Sequence, residues 1–171
     1  TSVVGLAQSA NDAPRVWEAP LLIPTYELNP PNPYPALLDW QRRKWRPVYP
    51  YAFQDALGNE KQDKAWKAVY LENEYLKVTV LPELGGHVYQ IFDKTLNRDI
   101  IYSNPVMKYA MVALRGAWVS GGIEWNFPDG HTLTTVAPID YVIRTEADGS
   151  AAVAVGDTER VQGMQWQVIL R

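Results

Sequence analysis

One glycine-rich segment, residues 114–132, holds most of the chemically versatile side chains of the sequence; it reads LRGAWVSGGIEWNFPDGHT. Charged, amide and imidazole groups are interleaved there with aromatic rings: Arg115, Glu124, Asn126, Asp129 and His131 with Trp118, Trp125 and Phe127. A sugar presents apolar C–H faces ringed by hydroxyl groups, and aromatic side chains with a polar edge match that combination. Residues 121–131, GGIEWNFPDGH, therefore predict a polar ligand site, with a carbohydrate as the ligand.

The spacing within this segment predicts two faces. If residues 123–127 are extended, Glu124 and Asn126 share one face, while Ile123, Trp125 and Phe127 share the other. One face then packs on the core and the other offers a carboxylate and an amide to hydroxyl groups. Spacing alone supports a second interpretation equally well, a structural polar network in which Glu124 pairs with Arg115.

His131 follows the turn residues 128–130, which would place it on a loop at a strand end. An imidazole titrates near physiological pH, so it can transfer a proton or donate one to a sugar oxygen; a hydrogen bond to a nearby carbonyl is the structural alternative. We predict His131 and Glu124 as catalytic residues. The predicted substrate-binding residues are Arg115, Asn126, Trp118, Trp125 and His87.

Other site chemistries find little support in the sequence. The two histidines, His87 and His131, do not fit a zinc-ligand spacing, so no metal site is predicted, although Asp and Glu oxygens leave calcium open. No cofactor is predicted, because the dinucleotide-binding, phosphate-binding and serine-hydrolase motifs are missing. The sequence contains no cysteine, which excludes disulfides and a thiol nucleophile.

The composition limits the classes of partner that this chain is expected to bind. The 171 residues are 47% hydrophobic, enough for one well-buried core, and the net charge of -3 gives no electrostatic case for nucleic acid or an anionic membrane. Seven Trp and ten Tyr against three Phe fit sugar binding, although β-sheets also favour large aromatic residues. Residues 3–10 resemble the end of a secretory signal, which predicts a periplasmic or extracellular location.

The elements around the glycine-rich segment read as short β-strands joined by Gly, Pro and Asp turns, which predicts an all-β sandwich. Before the strands we expect a flexible leader (1–14), an extended arm (16–28), a proline-rich connection (29–35), a short helix (36–44) and a charged loop (58–64). Strands are predicted at 65–72, 75–81, 87–92, 99–102, 107–114, 118–123, 132–144 with a break at Pro138, 151–155 and 164–170. Because Arg171 falls within an alternating strand, we expect residues 15–171 to be the front part of a longer domain, completed by further chain or by a second chain.

Residues 71–94, LENEYLKVTVLPELGGHVYQIFDK, and 104–132, NPVMKYAMVALRGAWVSGGIEWNFPDGHT, followed by Asp140-Tyr141, resemble a bacterial domain of unknown function with a galactose-mutarotase-like fold. That domain often precedes tetratricopeptide repeats. The resemblance implies a β-supersandwich with a sugar cleft on one concave face. One departure is His87, where the family usually carries arginine after the Gly-Gly pair.

The resemblance also implies roles. In mutarotases a histidine acts as acid toward the ring oxygen, and a glutamate late in the chain acts as base on the anomeric hydroxyl. By the order of elements His131 corresponds to a cleft histidine, and the late glutamate would fall beyond Arg171, so Glu124 is not equated with that base. We therefore expect a carbohydrate-active domain, epimerase-like or glycoside-cleaving, that binds a mono- or oligosaccharide and is not active as this piece alone. The alternative is a non-catalytic carbohydrate-binding or structural module.

Overall fold

The computed structural model describes residues 13–34, 48–127, 130–131 and 133–171. The predicted helix at 36–44 and nearly all of the predicted leader lie outside these ranges. The described residues form β-strands and one 3-10 turn (Pro82–Leu84), with no α-helix among them, so the prediction of an all-β fold is confirmed. In this described part, no helix is long and apolar enough to cross a membrane. The strands are β1 (Arg15–Leu28), β2 (Leu57–Glu72), β3 (Leu76–Leu81), β4 (His87–Asp93), β5 (Arg98–Asp99), β6 (Tyr109–Ala113), β7 (Gly116–Val119), β8 (Asp140–Thr145), β9 (Ala151–Thr158) and β10 (Gln165–Leu170).

The strands form three antiparallel sheets. The largest has the order β1-β2-β3-β4-β5, a second has the order β10-β9-β8, and β6 and β7 form a hairpin. Alternation along β3 explains the layering, because Val80 lies in the core shared with the three-stranded sheet while Leu81 lies in the core on the other face. The five-stranded sheet is therefore the middle layer.

The core between the two larger sheets is mostly aliphatic. It joins Val69, Val80 and Val88 of the middle layer to Ile139, Val153, Val155 and Trp166. Val153 is fully buried, and a fully buried valine side chain contributes about 1.5–3 kcal/mol relative to an exposed one. On the opposite face, Trp66 and Tyr70 pack with Met107 and Val119, which holds the β6–β7 hairpin against the middle layer.

The prediction of a charged loop at 58–64 is wrong, because this stretch lies in strand β2, which pairs with β1 at Leu57 and again from Lys61 onward, with a shift of register in between. Most side chains of residues 59–65 are exposed, and Lys64 forms an ion pair with Glu27 of β1 at 3.1 Å. This exposed stretch of β2 satisfies its backbone by pairing with β1, which itself carries the buried residues Ile23 and Thr25. It needs no apolar alternation, which is why the sequence pattern gave no strand signal.

The arm predicted at 16–28 is strand β1, although it contains Pro20 and Pro24. The strand lies at the edge of the sheet, where a missing N–H does not interrupt pairing. The carbonyl of Pro24 points outward and accepts a 2.8 Å hydrogen bond from the Met107 N–H, so the proline nitrogen also faces away from β2.

The predicted strand at 132–144 is shorter in the structure and begins at Asp140. Residues 133–136 form a turn instead, closed by a 2.9 Å bond from the Ala137 N–H to the Thr134 carbonyl. Ala137 in turn accepts the N–H of Gly85 at 2.8 Å. A Cβ on Gly85 would lie 2.6 Å from the Thr134 oxygen, so this turn packs directly on the glycine pair before β4. β-branched composition did not distinguish this buried turn from a strand.

Candidate functional site

The site begins where β7 ends, at a bend formed by Gly121 and Gly122. Both have left-handed φ values, 91° and 67°. The Gly122 N–H donates to the Tyr102 carbonyl at 2.7 Å, and a Cβ on Gly122 would lie 2.3 Å from the Val88 oxygen. This close approach lets Ile123 exchange two backbone hydrogen bonds with Val88 of β4, at 2.9 and 3.0 Å.

The two predicted faces of residues 123–127 are present, although only Ile123 forms a β-bridge. Ile123 and Trp125 pack on the core between the two larger sheets, and the Trp125 indole N–H donates to the Gly86 carbonyl at 2.8 Å. Phe127 stacks on Trp166, with ring centroids 5.5 Å apart. Glu124 and Asn126 take the other face, as expected, and both contact His131.

Glu124 is the centre of a polar cluster that we name the Glu124 cluster, formed by Trp118, Glu124, Asn126 and His131. The Trp118 indole N–H donates to Glu124 Oε2 at 2.7 Å, and His131 Nδ1 lies 3.3 Å from the same oxygen. The Trp118 and His131 rings meet edge to face, with centroids 5.4 Å apart. Side-chain exposure is 13% for Glu124 and 44% for His131, so the carboxylate is sheltered while the imidazole reaches solvent.

The backbone of His131 is held as firmly as its ring. Its φ of 48° is in the left-handed region, which is uncommon for a residue with a side chain. The His131 N–H donates to Asn126 Oδ1 at 3.0 Å, and its carbonyl accepts the Leu114 N–H at 3.1 Å. Such conformations persist where the surroundings over-determine them, and they cluster at functional sites. The neighbouring residues 128–129 and 132 lie outside the described part.

The geometry gives the imidazole a defined orientation. An ionised carboxylate only accepts hydrogen bonds, so the contact with Glu124 requires the proton of a neutral His131 to be on Nδ1. The second ring nitrogen, Nε2, is then left with its lone pair and can exchange a proton with a ligand oxygen. The arrangement is therefore suited to general acid–base chemistry at His131, with Glu124 holding the ring.

His87 lies beneath this cluster and is almost completely buried, at 4% exposure. Its Nε2 lies 2.6 Å from the Gly121 carbonyl, which connects β4 to the glycine bend. Burial lowers the pKa of His87; the hydrogen bond to Gly121 and the charge of Glu124 oppose that shift. In this structure the side chain is a fixed, neutral contact under the bend.

Arg115 is also buried, at 7% exposure, and its guanidinium is directed at backbone rather than at Glu124. Nε donates to the Ala52 carbonyl at 3.0 Å, and Nη1 donates to the Leu133 carbonyl at 3.1 Å. The guanidinium also lies 5.0 Å from the centroid of the Tyr51 ring. Burial lowers the pKa of Arg115 to about 10; the nearby Tyr51 opposes this and Arg160 adds to it, so the group stays protonated at neutral pH.

Sequence reasoning did not single out Glu159, which is fully buried. Its carboxylate accepts the N–H groups of Val161, Gln162 and Met164 at 2.9, 2.7 and 3.1 Å. Glu159 thus organises the turn between β9 and β10, and the neighbouring Arg160 N–H is bonded to the Tyr51 hydroxyl at 2.9 Å. A single charged residue before a turn carries no local pattern that distinguishes it from a solvated one.

An open depression of ≈ 450 Å³ lies away from the Glu124 cluster, along the three-stranded sheet. Its lining includes Asp140, Gly156 and Gln167. We take the Glu124 cluster as the candidate site because, within the described ranges, it is the place where a sheltered carboxylate meets an oriented, solvent-reaching imidazole. Among the residues that the structure describes, no group of three or more His, Asp or Glu side chains is arranged to hold a metal ion.

Comparison with known proteins places this site in a family. The family model described as a domain of unknown function (DUF5107) matches residues 43–171, most of the chain. The chain belongs to the DUF5107 family. A solved structure of a TPR-domain containing protein from Parabacteroides distasonis ATCC 8503 is similar to this DUF5107 chain, with a TM-score of 0.79 and 31% identity. The match covers 95% of the present chain and 27% of that protein, so the chain spans about a quarter of its length.

The family assignment confirms the prediction of a domain of unknown function, and the similar structure is that of a protein described as TPR-domain containing. The glycine-rich segment and the Glu124 cluster lie within the matched region of the DUF5107 chain.

Proposed function

We propose that this DUF5107 domain binds a mono- or oligosaccharide at the Glu124 cluster, as part of a galactose-mutarotase-like sandwich, and that His131 acts as the acid–base group. The observation that carries the proposal is the His131 imidazole, 44% exposed and oriented by a carboxylate that is only 13% exposed. Trp118 beside it supplies an aromatic surface of the kind that packs on sugar C–H groups.

The proposed chemistry is an aldose-epimerase-like ring opening. In its protonated form His131 donates the Nε2 proton to the sugar ring oxygen while the bond between that oxygen and the anomeric carbon breaks. A base takes the proton of the anomeric hydroxyl, and the reverse steps close the ring on the other face. Glu124 is assigned to holding the imidazole rather than to this base, because its Oε2 is already engaged by Trp118 and His131. We propose that the base comes from outside these 171 residues, from further chain or from a second chain.

The test is the rate of anomer interconversion, followed by proton NMR with neutral aldoses in their α form and the longest available form of the protein. We expect His131→Ala to lower the catalysed rate by about 10²–10⁴-fold, the usual contribution of a positioned proton-transfer group. Glu124→Gln should lower the rate less, because it weakens the contact that orients the imidazole but leaves the imidazole in place. Lys64→Gln, in the distant β1–β2 ribbon, is the control and should leave the rate unchanged. Unchanged turnover in His131→Ala would show that His131 is not the acid.

A second candidate is carbohydrate binding without chemistry. The observation that favours it is that two donors, Trp118 Nε1 and His131 Nδ1, converge on a single carboxylate oxygen, which gives an internally bonded and rigid surface. Saturable binding of an oligosaccharide with no change in its length or anomeric ratio would support this candidate over the epimerase.

A further inference from the structure

Two consecutive residues in the turn between β6 and β7 hold the segment that carries His131. The Leu114 N–H donates to the His131 carbonyl at 3.1 Å. The next residue, Arg115, reaches across with its side chain and donates from Nη1 to the Leu133 carbonyl at 3.1 Å. The two bonds fall on either side of residue 132, so one short turn fixes two carbonyls of the His131 segment.

The guanidinium of Arg115 is itself anchored at a third point. Its Nε donates to the Ala52 carbonyl at 3.0 Å, 63 residues earlier in the chain. The charge is retained despite burial at 7% exposure, and no carboxylate among the described residues forms an ion pair with it. A buried guanidinium whose hydrogen bonds within the described part go to carbonyls is costly to maintain for packing, since an apolar side chain would fill the same space without desolvating a charge.

We propose that Arg115 is a positioning residue for His131. Its guanidinium, anchored on Ala52, fixes the Leu133 carbonyl and so holds the His131 imidazole against Glu124. This assignment rests on the proposed function for its consequence in turnover, but the geometric effect on the imidazole is independent of any ligand. The sequence predicted Arg115 as a substrate contact. The proposed role is different: Arg115 orients His131 through backbone contacts and does not itself touch the ligand.

The fork of the guanidinium is what allows two carbonyls to be held at once. Nε and Nη1 are separate donors at fixed positions in one plane, whereas the lysine ammonium is a single point on a flexible stem. Arg115→Lys therefore keeps the charge and most of the volume but releases one of the two carbonyls. Arg160→Met is a matched control, because its guanidinium also stacks on Tyr51, 4.4 Å from the ring centroid.

The experiment uses the histidine rings, of which the chain has only two. Long-range proton–nitrogen correlation spectra at a pH where the imidazoles are neutral report which ring nitrogen carries the proton, and His131→Ala identifies the His131 signals. We expect an Nδ1 proton on His131 in the unmodified chain and a shift toward the Nε2-protonated form in Arg115→Lys. Arg160→Met and Val153→Ala, a destabilising change in strand β9, should retain the signature of the unmodified chain.

An unchanged His131 signature in Arg115→Lys would overturn the proposal, as would an equal change in Arg160→Met or Val153→Ala. If Arg115→Lys does not fold, Arg115→Gln, which removes the buried charge, replaces it with the same two outcomes. Where the unmodified chain turns over a sugar, we expect Arg115→Lys to lower kcat by up to about 10²-fold, with a smaller effect on KM, as for a misplaced catalytic group. Absence of turnover in the unmodified protein would count against the proposed function and leave the ring comparison intact.

Discussion

Acidification should destabilise this domain through His87, and the effect can be isolated with one substitution. His87 is 4% exposed and burial lowers its pKa below the ordinary histidine value of 6.5. Between the lowered folded value and the unfolded value, the unfolded chain binds more protons than the folded one. Stability is therefore fully present above about pH 6.5 and is lost as the pH falls from there toward the folded pKa.

The magnitude follows from proton linkage. One histidine that is protonated in the unfolded chain and neutral in the folded domain lowers the free energy of unfolding by at most about 1.4 kcal/mol for each pH unit. His87→Gln removes this titration, and its amide nitrogen can still donate to the Gly121 carbonyl in place of Nε2. We expect the free energy of unfolding of the unmodified chain to fall more steeply with decreasing pH than that of the variant.

Urea unfolding followed by tryptophan fluorescence, in steps from about pH 7.5 to 5.5, measures both curves. The difference between them cancels His131 and the carboxylates, which both proteins share. Parallel curves would refute the reasoning, because they would mean that His87 is protonated as readily in the folded domain as in the unfolded chain.

Three further substitutions test the structural elements around the site. Gly122→Ala should cost more than about 1 kcal/mol in urea unfolding, because its φ is 67° and the new Cβ would lie 2.3 Å from the Val88 oxygen. Gly130→Ala should be nearly neutral, because its new Cβ meets no described atom within 4 Å beyond its chain neighbours, and equal effects would contradict the account. Glu159→Gln should cost about 1–3 kcal/mol, since an amide cannot accept all three backbone N–H groups, and an unchanged denaturation midpoint would disprove that role. Trp118→Phe should cost about 0.5–1.5 kcal/mol by removing the donor to Glu124, and should move the His131 ring signals in the NMR spectrum; unmoved signals would show that the indole does not order this cluster.

The sequence predicts the fold well where a strand has one buried face, because apolar and polar residues then alternate along it. Val78 and Val80 alternate with polar residues, and the strand at this position is present with nearly the expected bounds. The ribbon at 58–64 was missed because exposed paired strands carry no such period, and pairing with β1 more than 30 residues earlier leaves no local trace. The turn at 133–136 was mistaken for a strand because its side chains are mostly β-branched. Such side chains are common in strands, but they do not determine which backbone groups form hydrogen bonds.

Some features of the site also follow from the sequence, and others depend on the tertiary structure. The two faces of residues 123–127 follow from alternation, which places Glu124 and Asn126 together; the contact of His131 with both depends on the path of the loop and did not follow from spacing. The contacts of Arg115 with Ala52 and Leu133 could not be predicted, since they depend on how distant segments pack. Burial of His87 likewise depends on the position of Gly122, which only the tertiary structure gives.

The most direct test of the central claim is a sugar titration of the domain followed by NMR of its indole N–H and imidazole signals. If the Glu124 cluster binds a carbohydrate, the Trp118 indole and His131 ring signals will move together and saturably with at least one neutral mono- or oligosaccharide, and His131→Ala will weaken that binding. Signals that stay fixed across a broad panel of sugars, or that move only at residues away from the Glu124 cluster, would contradict the account.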